Sequence, residues 1–179
     1  GQTPVFLYIG SIEKRKKVDW LMESSIIYNG IVQILVVGDG DYLEELQAKY
    51  AGLPNVSFLG KITNNRQRVI GLCDVVCLPA LGGLSILDAM ACGKAFLGSR
   101  MIENGGIVDY IEDGYSGLLC DENFESFANS FASLADNIKR TRFMGDRAFQ
   151  ISHNFDIDKM ADSYITAAQF VYNEGIDFQ

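Results

Sequence analysis

The chain predicts an α/β domain: a doubly wound, Rossmann-like parallel sheet of about six strands, followed by C-terminal helices. Three observations lead there. Short β-type apolar runs alternate with longer amphipathic stretches. Most of those runs are uninterrupted rather than alternating, as strands covered on both faces are. The connections between them are short, which marks repeated βα units and a parallel sheet.

In chain order, the runs Val5–Ile9, Ile31–Val37, Val56–Leu59, Val75–Leu78, Ala95–Leu97 and Gly117–Cys120 read as strands. Helical stretches at Val18–Tyr28, Tyr42–Tyr50, Asn65–Leu72 and Leu84–Cys92, with a short one at Gly106–Ile111, separate them. Beyond Cys120 the pattern turns all-helical, through Phe124–Ala135, Ile138–Ser152 and Asp156–Tyr172. The last stretch repeats apolar residues at helical spacing (Ile157, Met160, Ala161, Tyr164, Ala167, Ala168, Val171). Packing on the core is its expected role, and docking of another element the alternative. Right-handed crossovers point the strands one way, so the βα loops gather at one edge, where ligands of such folds bind. Those loops are Gly10–Lys17, Gly38–Asp41, Gly60–Asn64, Pro79–Gly83 and Gly98–Gly105, and glycines and basic side chains concentrate in them.

A chain of 179 residues that is 48% hydrophobic with three prolines is ample for one layered core, so residues 1–179 are expected to form a single domain. No apolar run approaches the roughly eighteen residues of a transmembrane helix. The first residues lack a secretory signal, and Gly1 in place of Met is expected of a segment cut from a longer protein. A formal charge of −8 argues against nucleic-acid or generic anionic-membrane binding. The positive charge is nonetheless clustered: Lys14, Arg15, Lys16 and Lys17 follow the first strand, and Lys61, Arg66 and Arg68 follow the third. Each cluster reads either as a solvated face or as one side of an anion site. Cys73, Cys77, Cys92 and Cys120 sit in or beside apolar runs without metal or redox spacing, and are expected to be buried free thiols of a reducing cytosol. His153 is the only histidine, which excludes a multi-histidine metal site or a His-based triad from this chain alone.

The most informative segment is Pro79–Gly93. An apolar strand runs into Gly82-Gly83, and a helical run opens at once with Leu84 and Ser85. The first amides of a helix lack intrahelical partners, and glycine lets a ligand's oxygens approach the backbone. The helix dipole adds about 0.3–1 kcal/mol for negative charge there. Asp88, one turn on, either complements that dipole or accepts a hydrogen bond from a sugar hydroxyl. Val37-Gly38-Asp39-Gly40 is either a tight turn or a loop lining a nucleotide. Leu43 stands where a dinucleotide fingerprint needs its third glycine, which excludes a nicotinamide site.

Taken together, these segments resemble the donor-binding domain of retaining GT-B glycosyltransferases of glycosyltransferase family 4. The resemblance runs from Tyr8-Ile9-Gly10-Ser11-Ile12 through Lys16-Lys17-Val18-Asp19-Trp20-Leu21, similar to a Gly-Arg-Leu-x-x-x-Lys-Gly element. It continues through Val37–Gly40, Asn55–Gly60 and Gly83–Gly93, and ends at Asp113-Gly114-Tyr115-Ser116-Gly117-Leu118-Leu119. It implies a nucleoside diphosphate sugar, UDP- or GDP-linked, as donor substrate, with no permanently bound cofactor and no metal. The site it implies comprises Gly10, Ser11, Lys16, Lys17, Gly38, Phe58, Leu59, Gly60, Gly82, Gly83, Leu84, Ser85 and Asp88. Lys16 would hold the diphosphate with the amides of Gly83, Leu84 and Ser85, Asp88 the ribose, and Phe58-Leu59-Gly60 the base. Lys16 and Asp88 are the candidate catalytic residues.

Three departures accompany the match. Ser11 replaces an arginine, leaving Arg15 or Lys17 as substitutes beside Lys16. Ala80 replaces the first glutamate of a Glu-x7-Glu motif, and Asp88 replaces the second, shorter by about 1.5 Å. The expected partners are the nucleotide-sugar donor and an acceptor domain preceding Gly1. The expected setting is polysaccharide biosynthesis in the cytoplasm, with peripheral membrane association of the full enzyme open. Two alternatives remain: a non-catalytic nucleotide-sugar-binding module or split-enzyme subunit, and a GT-B nucleotide-sugar epimerase.

Overall fold

A computed structural model describes residues 3–100 and 109–174. Its strands are β1 (Val5–Ile9), β2 (Gln33–Val37), β3 (Val56–Gly60), β4 (Val75–Leu78), β5 (Ala95–Ser99) and β6 (Gly117–Cys120). They form one parallel sheet in the order β3-β2-β1-β4-β5-β6. Helix α1 (Asp19–Ile27) connects β1 to β2, α2 (Leu43–Tyr50) connects β2 to β3, and α3 (Arg66–Gly71) leads into β4. Helix α4 (Ser85–Ala91) connects β4 to β5, and α5 (Phe124–Asp136), α6 (Ile138–Ser152) and α7 (Ile157–Glu174) follow β6. The order grows outward from β1 in one direction and from β4 in the other, so right-handed crossovers place α1 and α4 on opposite faces.

The expected strands and helices are present, with informative differences at their ends. Strand β2 starts at Gln33 rather than Ile31, because β1 offers its first pairing residue, Val5, opposite Gln33. Strand β5 runs on to Ser99, where Gly98 and Ser99 still pair with Leu119 and Cys120 of β6. Half of the expected short helix at Gly106–Ile111, and much of the Gly98–Gly105 loop, lie outside the described residues.

The expectation that the last helix packs on the core is corrected by the structure. Ile157, Met160 and Tyr164 of α7 are 68%, 50% and 72% exposed. The amphipathic spacing is real, but α5 and α6 already cover β5 and β6, so no core face remains for it. Helix α5 is seated by aromatics: Phe131 stacks on Phe6 of β1 at 4.1 Å, and Trp20 and Tyr28 contact Phe127 and Phe131. Its Asn123 side chain caps the first turn by accepting from the Ser126 amide at 2.8 Å.

At the edge opposite the ligand loops, Asp74 joins three elements. Its carboxylate accepts from the Val5 amide and pairs with Arg142 Nε of α6, each at 2.9 Å. Cys73, Cys77 and Cys120 are buried free thiols, as expected, and Cys92 is half-buried. Burial pushes Cys73 up to about 12 and Cys120 up to about 11.

Asp74→Ala should lower stability by about 1–3 kcal/mol, because it strands the Val5 amide and removes the ion pair with Arg142; an unchanged denaturation midpoint would show the junction to be dispensable. An alkylating reagent at pH 8 should modify Cys92 first and the other three thiols only on unfolding. The sign follows from burial, since folded-state values above the ordinary thiol range keep these groups protonated until the chain opens. Mass spectrometry after timed labelling reads the order.

Candidate functional site

The loops at the carboxyl ends of β1, β2 and β3 are laced by backbone. The Gly10 amide donates to Val37 O at 3.0 Å, Ile12 to Asp39 O at 2.9 Å, Gly38 to Gly60 O at 2.9 Å and Tyr42 to Ile12 O at 3.2 Å. Gly38 (φ 151°) and Gly40 (φ 155°) permit this approach. A Cβ on Gly38 would overlap the carbonyl oxygen of Gly10, and one on Gly40 that of Ile12. These glycines therefore serve backbone-on-backbone packing first. Tyr8 adds a clamp from below, its buried hydroxyl donating to Ser11 O at 2.6 Å.

The laced loops enclose a crevice of about 370 Å³, lined by Gly10, Ser11, Gly38, Asp39, Lys61 and Arg66 among others. It lies over the carboxyl ends of β1, β2 and β3, next to the reversal of strand order between β1 and β4 where open α/β sheets bind ligands. Leu7 pairs with Val76, so Ile9 and Leu78 end level and their following loops leave the sheet side by side.

The cations of the first loop are sorted by their partners. Lys14 Nζ lies 3.7 Å from Glu45, Arg15 Nε bonds Glu13 at 2.6 Å, and Lys17 Nζ sits 4.4 Å above the Trp20 ring. Lys16 alone of the four has no ion pair or ring contact among the described residues. The Ser11 hydroxyl is taken too, donating to Glu13 at 2.7 Å. Hydrogen bonds from Arg15 and then Ser11 hold the Glu13 carboxyl below its ordinary range. Neither Arg15 nor Lys17 is thus uncommitted to stand in for the arginine that Ser11 replaces.

Beyond β4, the backbone leaves a set of donors open. The Ile86 amide donates to Gly83 O, and the Leu87 and Asp88 amides to Leu84 O. The amides of Gly83, Leu84 and Ser85 have no partner among the described residues. Helix α4 is seven residues long, so these local amides, more than a macrodipole, make the donor set. Ser85 is buried and Leu84 is 77% exposed. Ala80 is 1% exposed, with a methyl group where a sugar-contacting carboxylate was expected.

The remaining expected residues are placed differently. Asp88 does not stand alone: its Oδ2 pairs with Arg66 Nη2 at 3.2 Å. Phe58 packs against the core and Leu59 is 44% exposed, so neither lines the crevice. Gly60 contributes its carbonyl to the lacing, while Lys61 and Ile62 form the wall beyond β3. Arg66 is the residue that sequence reasoning grouped with Arg68 and did not single out. Its one signal was its place in a basic cluster beside a ligand-edge loop.

The sequence profile of the glycosyl transferases group 1 family matches residues 3–137. N-acetyl-alpha-D-glucosaminyl L-malate synthase of Bacillus anthracis is 28% identical over 172 residues, covering 90% of this chain and 44% of that protein. Sulfoquinovosyl transferase SQD2 of Arabidopsis thaliana is 25% identical over 163 residues, covering 87% of this chain and 31% of that protein. The chain thus spans less than half the length of the curated relatives it matches here. Among solved structures, Anabaena Alr3699/HepE in complex with UDP superposes with a TM-score of 0.81 at 22% identity, covering 93% of this chain and 49% of that one. That likeness shows the fold, the Rossmann-like half of a GT-B architecture.

Gly38→Ala should destabilise the chain by at least about 2 kcal/mol, since its Cβ meets backbone that cannot yield. Gly83→Ala should leave the denaturation midpoint nearly unchanged, because its Cβ would enter open space. Equal losses in chemical denaturation would contradict this division.

Proposed function

The chain belongs to the glycosyl transferases group 1 family, and on that premise we propose that it is the donor-binding half of a glycosyltransferase. It takes a nucleoside diphosphate sugar, UDP- or GDP-linked, and the complete protein passes the sugar to a hydroxyl acceptor with retention. The observation that carries this reading is the pairing of Lys16, uncommitted among four adjacent cations, with three open amides at Gly83, Leu84 and Ser85. These groups leave the sheet on neighbouring loops at its switch point. The nucleotide lies toward the crevice beside Gly10, Gly38 and Lys61.

As the glycosidic bond to the diphosphate lengthens, negative charge grows on the leaving oxygens. An ammonium and fixed amides already aimed there stabilise that charge without reorganising. Lys16 is the candidate catalytic residue in this electrostatic sense. Asp88 acts on the ribose through the carboxylate oxygen that Arg66 leaves free. The acceptor side belongs to a further domain, and the exposed apolar residues of α7 support a surface on which such a domain docks.

One observation favours a second reading. Ala80 is buried and carries no polar group, so the chain has no carboxylate at that position to touch the transferred sugar. A non-catalytic nucleotide-sugar-binding module would look the same.

Saturating UDP or GDP should raise the melting temperature of the 179-residue chain, a ligand at a hundredfold its Kd stabilising the native state by about 2.7 kcal/mol. NAD should give no shift; a shift with NAD and none with either diphosphate would sink the proposal. Lys16→Ala should weaken the diphosphate response about tenfold at low salt and less at high salt, where exposed charges are screened. Gly83→Ala should weaken it without changing the ligand-free melting temperature. Sugar transfer by the complete protein, lost in Lys16→Ala, would reject the non-catalytic reading.

A further inference from the structure

We infer that Arg66 is a phosphate-contacting residue of the crevice and that Asp88 is its positioning partner; this rests on the donor-binding reading above. Arg66 opens α3 directly after Asn65, whose left-handed backbone (φ 58°) turns the chain into the helix. Its side chain lines the crevice with Lys61, opposite the backbone of Gly10 and Gly38. Asp88 reaches it from α4 and holds Nη2 at 3.2 Å. The guanidinium therefore spans from the crevice to the helix that begins at the open amides.

Two features mark it as a ligand group rather than a surface ion pair. Its Nε is closed off from solvent and has no hydrogen-bond partner among the described residues, whereas occluded donors in folded proteins almost always have one. The pair with Asp88 uses only Nη2, so the rest of a planar fork suited to phosphate oxygens is uncommitted. The charge balance points the same way: among the described residues Lys61 has no ion pair, and the crevice's carboxylate, Asp39, accepts from the Gly40 amide at 2.9 Å. Lys61 and Arg66 thus set two cations against one carboxylate in the crevice lining, and Asp88, which offsets part of the Arg66 charge, lies outside that lining. Arg66 thus supplies the guanidinium that position 11 lacks, from a different element and from the opposite wall.

The test is titration of UDP and GDP, with uridine and guanosine as uncharged probes, into the 179-residue chain and its Arg66→Ala, Arg66→Lys and Asp88→Asn variants. Arg66→Ala should lose about tenfold or more in diphosphate affinity, leave nucleoside affinity unchanged and flatten the salt dependence. Arg66→Lys, which keeps the charge and the fold but not the fork, should recover only part of the loss. Asp88→Asn should cost diphosphate affinity in the wild-type background and distinctly less in Arg66→Ala, the sign of a coupled pair. If Lys16→Ala weakens diphosphate binding while Arg66→Ala does not, or if Arg66→Ala weakens nucleoside and diphosphate alike, Arg66 is not a phosphate contact and the donor-binding reading stands without it. If the wild-type chain binds neither diphosphate, both fall.

Discussion

The structure depends on where the sheet reverses its order. Strand β1 has β2 on one side and β4 on the other, so loops that leave β1 and β4 together must turn to opposite faces. A gap opens between them, and it is kept open by the lacing of Gly10, Ile12, Gly38 and Gly60 on one flank. Backbone groups on that flank are satisfied by one another, while on the other flank the amides of Gly83, Leu84 and Ser85 are not. One rim is rigid and closed; the other is a set of donors waiting for acceptors. That asymmetry is the physical basis of the binding edge proposed above.

Charge pairing then selects which cations serve it. The chain carries 23 acidic and 15 basic side chains, and seven of the basic ones make ion pairs among the described residues. Within the Lys14–Lys17 block, Glu45, Glu13 and the Trp20 ring engage three of the four, leaving Lys16. These contacts are exposed and individually weak, so their importance is directional: they hold three side chains away from the gap. Arg66 is drawn the other way, toward α4, by Asp88. The two carboxylates Glu13 and Asp88 therefore have opposite effects on the site, one withdrawing a cation and the other presenting one.

Binding and catalysis separate along the same lines. The proposed diphosphate contacts, Lys16 and the open amides of Gly83, Leu84 and Ser85, do not depend on position 80, where the buried methyl of Ala80 offers no polar group. The chain also spans 44% of the length of the malate-linked synthase it resembles, and its last helix leaves an apolar face uncovered.

How much of this the residues disclosed in advance differs by level. Uninterrupted apolar runs with short βα connections were sufficient for the six strands, their parallel sense and the ligand edge, because burial on both faces leaves a pattern that needs no partner to be read. The buried thiols and the motif-bearing turns at Lys16 and Gly83 were legible for the same reason. The end of β2, the fate of α7 and the membership of the crevice were not. Ile31 has the composition of a strand but no neighbour to pair with, and α7 has an amphipathic face but no core left to cover. Arg66 and Asp88 lie 22 positions apart, and only the packing of α3 beside α4 joins them. The strand–glycine–helix unit and its anion preference were determined by sequence alone, being local backbone chemistry. Which cations are engaged elsewhere was decided in part by tertiary structure, because Lys14 and Arg66 meet Glu45 and Asp88, partners that sequence distance does not predict.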